Sequence, residues 1–156
     1  MKDTLIRKAV MSDLPVLKEF LQMLVNAERP FDETLDDGNL IYYDIEELIE
    51  NNNSEVLVLE NNNVPVGCGY AQIREAKPFL KHDKYAHFGF MFVLAEYRGR
   101  GLNNQLITAL KSWVSSKGVK EVRLEVYVEN EAAIRAYEKT GFEKILMTMR
   151  CEIDCL

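Results

Sequence analysis

The sequence is poor in the residues that build metal sites and disulfide frameworks. Its 156 residues include three cysteines (Cys68, Cys151 and Cys155) and two histidines (His82 and His87). An odd number of cysteines without metal-ligand spacing, in a chain with so few histidines, excludes a zinc-finger pattern and disfavours a disulfide scaffold. We therefore expect a reduced protein with no metal cofactor.

The sequence also lacks long apolar runs and an excess of basic residues. No apolar run approaches the ~20 residues of a membrane span, and the first residues lack the apolar segment of a signal peptide. The 19 Lys and Arg residues stand against 25 Asp and Glu residues, which gives a net charge of −6. Nucleic-acid-binding chains usually carry a basic excess. We expect a cytoplasmic protein with neither membrane nor nucleic acid as a partner.

What the sequence does contain is typical of one globular domain. Hydrophobic residues make up 47% and charged residues 28%, which is ordinary usage. A domain has roughly 150 residues, so residues 1–156 are expected to form a single domain. Chains of this size bury enough surface to fold without disulfides or metal.

Hydrophobic periodicity predicts a mixed α/β domain. Strands are expected at residues 4–10, 56–59, 64–74, 86–93 and 122–128, and one or two more between residues 142 and 153. Helices are expected at residues 13–28, 44–51, 102–117 and 130–140. Gly67 and Gly69 predict close packing or a bulge within the third strand.

A glycine-rich turn separates the strand ending at Val93 from the helix beginning near Leu102. Backbone N–H groups at a helix N-terminus bind anions, and Gly99 and Gly101 allow the backbone to approach a phosphate closely. Arg98 and Arg100 add positive charge to an acidic protein. A helix-entry turn without a ligand is the alternative interpretation. The P-loop and dinucleotide-binding patterns are both absent.

A second segment, Asn130 to Phe142, predicts a helix with two functional positions. Seven residues make about two helical turns, so Asn130 and Tyr137 share a face. One helix can therefore present a polar side chain and a phenol to the same ligand. The alternative is an N-capping residue followed by the tyrosine of an ordinary amphipathic helix.

Together, the two segments resemble the signature motifs of the GNAT superfamily of N-acetyltransferases. The sequence Glu-Tyr-Arg-Gly-Arg-Gly-Leu precedes Asn-Glu-Ala-Ala-Ile-Arg-Ala-Tyr by about 30 residues. The resemblance implies the GNAT fold, a mixed and mostly antiparallel sheet flanked by about four helices. It also implies acetyl-CoA as donor, and direct attack by an acceptor amine in a ternary complex. Catalytically silent CoA binding is the alternative function.

The resemblance assigns the cofactor-binding residues. The pyrophosphate cradle falls on Arg98, Gly99, Arg100, Gly101, Leu102, Asn103 and Asn104. Asn103 departs from the family pattern, which has Gly or Ala there. The strand end formed by Met91, Phe92 and Val93 matches the segment that pairs with the pantetheine arm, where a bulge typically aims a backbone N–H at the thioester carbonyl. Asn130 matches the side chain that contacts the CoA arm.

The resemblance leaves the catalytic base open. Tyr137 matches the phenol that protonates the departing CoA thiolate, with packing against the cofactor as the alternative role. Positions that carry a carboxylate in many relatives read Gly89 and Phe90 here. Glu125 matches a base used by some protein N-terminal acetyltransferases, although pairing with a lysine or arginine also explains it. His87 is a second candidate base.

Two further segments bear on partners. Residues 28–47 combine three aromatic side chains with eight carboxylates and a single arginine, Arg29. Such a mouth attracts a cationic amine, whereas a solvated acidic loop is the alternative. The apolar tail Ile145–Met149 either finishes the sheet or pairs across a homodimer. Cys68 is expected to lie in the core.

Overall fold

A sheet of five strands runs through the protein, with the strands in chain order. The computed structural model describes residues 3–155. The strands are β1 (Thr4–Lys8), β2 (Ser54–Asn61), β3 (Val64–Glu75), β4 (Lys84–Val93) and β5 (Val122–Arg123). Strands β1 to β4 pair in antiparallel fashion, and β5 joins β4 in parallel. The mixed, mostly antiparallel sheet confirms the predicted fold class.

Four helices lie along the chain around this sheet. They are α1 (Leu14–Glu28), α2 (Ile45–Glu50), α3 (Leu102–Ser116) and α4 (Glu131–Lys139). Apolar residues of α1 and α2 pack on one face of the sheet, where Cys68 and Phe92 are buried. The apolar stripe of α3 packs on the other face, against Ala71 and Phe88. Apolar side chains recur every second residue in the strands and about every 3.6 residues in the helices, so each element has an apolar face that packs in one of these two layers.

A β-bulge interrupts the pairing of β3 with β4. Cys68 pairs with Phe92 and Tyr70 pairs with Gly89, so two residues of β4 lie opposite the single residue Gly69. One of them, Phe90, has a positive φ of 55°. A Cβ atom on Gly69 would lie 2.6 Å from the sulfur of Met91. The glycine pattern of the sequence thus predicted this irregularity correctly.

Strand β5 is shorter than its apolar alternation predicts. Pairing with β4 covers only Val122 and Arg123, whereas the expected strand reached Val128. Tyr127 turns towards the α1–α2 loop, where its ring stacks on Phe31 at 6.1 Å and its hydroxyl donates to Asp32. These contacts draw the chain away from β4.

The predicted C-terminal strands are wrong. No strand occurs between residues 142 and 153. Leu146 and Met149 are more than 85% exposed. Arg150 anchors the tail by donating to Asp32 at 2.9 Å and to Thr34 at 2.8 Å.

Within residues 3–155, no helix is long and apolar enough to cross a membrane. The same residues contain no group of three or more His, Cys, Asp or Glu side chains placed to share a metal ion. Cys68 is a buried thiol and Cys151 an exposed one. Burial raises the pKa of Cys68 well above its ordinary value, so it lies in the core as a neutral thiol.

Candidate active site

The sheet opens between β4 and β5, and this opening positions the candidate site. Pairing of the two strands ends at His87 and Arg123. The second half of β4, including the bulge and the segment Met91–Val93, therefore has no strand partner on the β5 side. A chain-like ligand can pair with this free edge as an additional strand would.

The glycine-rich turn leaves a row of backbone N–H groups available. Gly99 and Gly101 have φ values of 75° and 74°, a conformation that favours glycine. After Arg98, the next backbone N–H that has a hydrogen-bond acceptor is that of Gln105, which donates to the Gly101 carbonyl. Among the described residues, nothing accepts from the N–H groups of residues 99–104. These groups and the α3 dipole favour an anion here.

Both arginines of the turn are already engaged in the protein. Arg98 donates through Nε to the Val93 carbonyl at 2.8 Å, which ties the turn to the end of β4. Arg100 donates to the Glu96 carbonyl and lies over the Tyr97 ring at 5.2 Å. Their guanidinium groups add local positive charge, while the turn itself presents backbone N–H groups.

The residues that follow the turn differ in exposure. Leu102 is buried in the core beneath α3, so only its backbone faces the turn. Asn103 is half-buried and Asn104 is exposed. Neither asparagine side chain has a hydrogen bond within residues 3–155. The amide of Asn103 is thus free to contact a phosphate.

Asn130 is the N-cap of α4, and Tyr137 lies within the same helix. The Asn130 side chain caps the helix by accepting from the Ala133 N–H at 3.3 Å, which leaves its NH₂ group free to donate. Tyr137 packs edge-on against Phe142. Burial and then the charge of Glu28 raise the pKa of Tyr137 to about 12, so the phenol is protonated at neutral pH.

The two candidate bases, Glu125 and His87, differ sharply in environment. Glu125 is exposed, and it lies on the α1–α2 side of the sheet near Tyr70, whose pKa it helps to raise. Burial and the positive charge of Arg74 lower the pKa of His87 to about 4. His87 is therefore neutral at pH 7 and a weak base.

The α1–α2 loop supplies aromatic walls to the acceptor side of the opening. The Tyr43 ring lies 5.2 Å from Tyr70 and 5.6 Å from Phe90. Beside them is a cleft of about 190 Å³, lined by Tyr42, Tyr43, Asp44, Glu47, Leu48, Tyr70, Gln72 and Arg74. A shallower acidic depression of about 420 Å³ adjoins α2.

Sequence reasoning did not single out Glu28 or Tyr70. Glu28 ends α1. Its charge helps to raise the pKa of four tyrosines from three segments, namely Tyr42 and Tyr43 of the α1–α2 loop, Tyr127 after β5 and Tyr137 of α4. Tyr70 lies directly over Gly89, where a Cβ atom would come within 2.6 Å of the phenol ring. Only the tertiary fold brings these groups together, and nothing in the local sequence marks them.

Comparison with known proteins places this geometry in context. The sequence model of the family described as "Acetyltransferase (GNAT) family" matches residues 19–142. An N-alpha-acetyltransferase of Saccharolobus solfataricus is 25% identical over 151 residues, which is 92% of this chain and 83% of that protein. The matched stretches span only 26% to 57% of the length of four other curated relatives.

Solved structures share the fold. A variant of the BH1408 protein of Bacillus halodurans superposes with a TM-score of 0.86 at 19% identity, covering 96% of this chain and 99% of that one. Aminoglycoside N-acetyltransferase AAC(6')-Iy in complex with CoA gives a TM-score of 0.75 at 24% identity, covering 97% of each chain. At these identities the likeness establishes the fold and no more.

Proposed function

Because the chain belongs to the GNAT family of acetyltransferases, we propose that it transfers an acetyl group from acetyl-CoA to a primary amine. The row of N–H groups of residues 99–104 without an acceptor, next to the free edge of β4, carries this proposal. The N–H groups can donate hydrogen bonds to anionic phosphates, and the free strand edge can pair with an extended, amide-bearing arm. The CoA complex of the related fold described above supports the same donor.

The donor side of the site uses mainly backbone atoms. We assign the pyrophosphate to the turn from Arg98 to Asn104 and the pantetheine arm to Met91, Phe92 and Val93. The Asn130 amide is free to contact the same arm, because its oxygen caps α4 while its NH₂ has no partner among residues 3–155. The bulge at Phe90 and Met91 supplies an N–H donor for the thioester oxygen.

Tyr137 is proposed as the general acid. The amine nitrogen attacks the thioester carbon, the C–N bond forms and the C–S bond breaks. The departing sulfur is a tolerable leaving group, with a thiol pKa of ~8.5, and it takes its proton from the phenol. A phenol with a pKa of about 12 is still protonated when the thiolate forms, as this role requires. Glu125 is a candidate base, since it lies on the acceptor side of the sheet.

The acceptor class follows from charge. Eight carboxylates stand against the single Arg29 in residues 28–47, and Asp44 and Glu47 stand against Arg74 in the adjoining cleft. A protonated amine suits such a surface. One sequence relative is named an N-alpha-acetyltransferase, and one structural neighbour is named an aminoglycoside N-acetyltransferase. Both names refer to acetylation of an amino group, so α-amines and aminoglycosides both belong in the first amine screen.

A CoA-binding protein without turnover is the second candidate function. One observation favours it: the position of the family's strand carboxylate is Gly89, and Tyr70 fills the space above it.

Cytoplasmic location is part of our proposal, because the donor is a cytoplasmic metabolite. So is a homodimer in which the exposed tail Ile145–Met149 meets its copy.

The deciding experiment has two stages. Thermal-shift titration with acetyl-CoA, CoA and ATP tests the donor, since a ligand at ~100 times its Kd stabilises the folded state by about 2.7 kcal/mol. A thiol-release assay with an amine panel then tests transfer. We expect shifts with acetyl-CoA and CoA only, and turnover that falls roughly 100-fold or more in Tyr137→Phe. Binding without turnover across the panel establishes the second candidate.

A further inference from the structure

The cleft of about 190 Å³ beside α2 contains side chains of both charges. Arg74, near the end of β3, lines it together with Asp44 and Glu47. Within the described residues 3–155, none of these three groups forms an ion pair with another. Asp44 accepts from the Glu47 N–H at 3.1 Å, and Glu47 accepts from the Asn51 amide at 2.6 Å. The two carboxylates are thus engaged with α2 itself, and the arginine has no anion.

Arg74 is half-buried, and a neighbour on the same strand fixes its orientation. Its Nε donates to the Gln72 side chain at 3.0 Å, which turns the guanidinium back along β3 in the direction of the bulge. Tyr70 lines the same cleft, and the charge of Arg74 lowers the pKa of its phenol against the effect of burial. A guanidinium has five N–H donors, so most of them remain available to a ligand. Partial removal from water strengthens their attraction for an anion.

A phenol of the same cleft also lacks a partner. The Tyr42 hydroxyl is enclosed and has no hydrogen-bond partner in the part of the chain that the structure describes. An enclosed polar atom without a partner is rare. A ligand carboxylate in this cleft would accept from the hydroxyl, and Arg74 would supply the countercharge.

The charges of the cleft favour a carboxylate over a phosphate. Asp44 and Glu47 stand against the single Arg74, so a second negative charge on the ligand is repelled. A carboxylate carries one charge and has the planar shape that matches a guanidinium, whereas a phosphate monoester carries about 1.5 to 2 charges at pH 7. The anion that suits this cleft is therefore a carboxylate.

The inner wall of the cleft reaches the bulge of β4. Tyr43 and Tyr70 line the cleft, and the Tyr43 ring lies 5.6 Å from the ring of Phe90 at the bulge. Gln72, which holds the guanidinium, is three residues along β3 from Gly69, the residue opposite the bulge. At ~3.4 Å per residue this separation is about 10 Å. One extended ligand can therefore occupy the cleft and the bulge together.

We propose that the acceptor carries a carboxylate as well as its reacting amine, and that Arg74 binds this carboxylate while the amine lies at the bulge of β4. This inference rests on the proposed acetyl transfer and narrows its acceptor to zwitterions whose two ends are about 10 Å apart. An extended chain advances ~3.5 Å over three bonds, so an α-amino acid is too short. The ammonium end of such an acceptor is the part that the carboxylates of the α1–α2 loop attract.

The first test compares acids with their amides in the thiol-release assay. Both 8-aminooctanoate and triglycine separate the amine from the carboxylate by about 10 Å when extended, and 3-aminopropanoate is the short control. We expect kcat/KM to be about tenfold or more higher for each long acid than for its amide, as a charge-assisted pair with arginine predicts. The short acid and its amide should differ little. The phosphate ester of matched length, 6-aminohexyl phosphate, should be a poorer acceptor than 8-aminooctanoate.

Variants assign this preference to Arg74. Arg74→Gln is expected to reduce the acid-to-amide ratio to about one, mainly through KM for the acid, and Arg74→Lys should restore part of it. Lys77→Gln removes the same charge from an exposed position of the adjoining loop and should keep the ratio. Gln72→Ala retains the charge but removes the group that orients the guanidinium, so the ratio should fall part of the way. A melting-temperature shift with acetyl-CoA shows that each variant is folded.

The second test needs no turnover. N-acetyl-8-aminooctanoate, the product of the transfer, and its amide are titrated calorimetrically into the CoA-saturated protein. We expect the acid to bind about tenfold or more tightly than the amide. Arg74→Gln should remove this difference, whereas Lys77→Gln should retain it.

The results that overturn the proposal differ from those that overturn the proposed function. Equal kcat/KM for long acids and their amides in the unmodified protein overturns it, and so does a ratio that Lys77→Gln lowers as much as Arg74→Gln. A preference for 6-aminohexyl phosphate overturns the choice of carboxylate. In these cases acetyl transfer to amines still stands. If no amine is acetylated and acetyl-CoA gives no thermal shift, the proposed function fails, and this inference fails with it.

Discussion

At the scale of single residues, Gly89 shows how one missing side chain defines the site. A Cβ atom added to residue 89 would lie only 2.6 Å from the Tyr70 side chain. Tyr70 is almost fully buried and packs on Tyr43. Many family members carry a carboxylate at this place on β4, whereas this chain has the aromatic ring of Tyr70 from β3 there.

The Gly89–Tyr70 contact predicts a coupled stability effect. Gly89→Ala is expected to destabilise the fold by about 1–3 kcal/mol, the usual cost of overpacking. In a Tyr70→Ala background the same change should cost much less, because the ring is gone. Urea denaturation of the two single variants and the double variant measures the coupling. Equal costs in both backgrounds would show that the contact is not the cause.

Our proposal gives Asn130 a structural role and a binding role in one side chain. Its oxygen accepts from the Ala133 N–H at the start of α4. Asn130→Ala is expected to cost about 1 kcal/mol of stability and to weaken acetyl-CoA binding. Asn130→Asp keeps the cap but loses the NH₂ donor, so stability should be retained while acetyl-CoA affinity falls. Chemical denaturation and calorimetric titration separate the two effects.

At the scale of elements, an ion pair joins β1 to the start of α1. Arg7 donates to both carboxylate oxygens of Asp13 at 2.8 Å and to Glu60 of β2 at 2.8 Å. Asp13 also accepts from the Val10 N–H. Hydrogen bonds from Arg7 lower the pKa of Asp13 below its ordinary value. A carboxyl with a lowered folded pKa adds stability that is present at neutral pH and lost in acid.

This pair predicts a pH-dependent effect of Asp13→Asn. At pH 7 the change is expected to cost about 1–3 kcal/mol, between exposed and buried ion pairs, because Arg7 remains partly exposed. The cost should begin to shrink below about pH 4, where the carboxyl of the unfolded chain takes up a proton, and it should vanish once the pH falls below the lowered pKa of folded Asp13. Urea titrations at pH 7 and pH 3 test this. A cost that stays constant with pH would assign the effect to packing.

The sequence predicted elements well where periodicity and capping act locally. All four helices are present, α1 ends at Glu28 as expected, and Asp44 and Asn130 cap their helices. Prediction failed at residues 124–128 and in the tail, where alternation alone favours a strand. There the Tyr127–Asp32 and Arg150–Asp32 contacts decide the path of the chain. Such long-range contacts leave no local pattern, which also explains why Glu28 was not identified.

At the scale of the whole molecule, charge separates donor from acceptor. The protein has a net charge of −6, yet its donor must be an anion. Our proposal therefore makes anion binding depend on a local feature, the N–H groups before α3 together with Arg98 and Arg100. The acceptor side keeps an excess of negative charge, because its carboxylates outnumber Arg29 and Arg74. The overall field thus favours a cationic acceptor and opposes the donor until it reaches the turn.

This field predicts how charge reversal acts on the two substrates. In Asp36→Lys/Asp37→Lys, four units of charge change about 10 Å from the ammonium, worth about 1.7 kcal/mol in unscreened water and about 0.5 kcal/mol at 0.15 M salt. KM for the amine should therefore rise roughly tenfold or more at low salt and about twofold at 0.15 M. KM for acetyl-CoA should not rise under either condition, because added positive charge does not repel an anionic donor.

The matched control carries the same charge change at a distance. Asp3→Lys/Glu19→Lys alters exposed residues at the β1 edge and along α1, so it shifts the net charge equally but leaves the loop intact. Initial rates at two salt concentrations compare both variants. If the control raises KM for the amine as much as the loop variant does, the effect belongs to net charge. If neither variant changes KM, the acidic residues of the loop serve solvation alone.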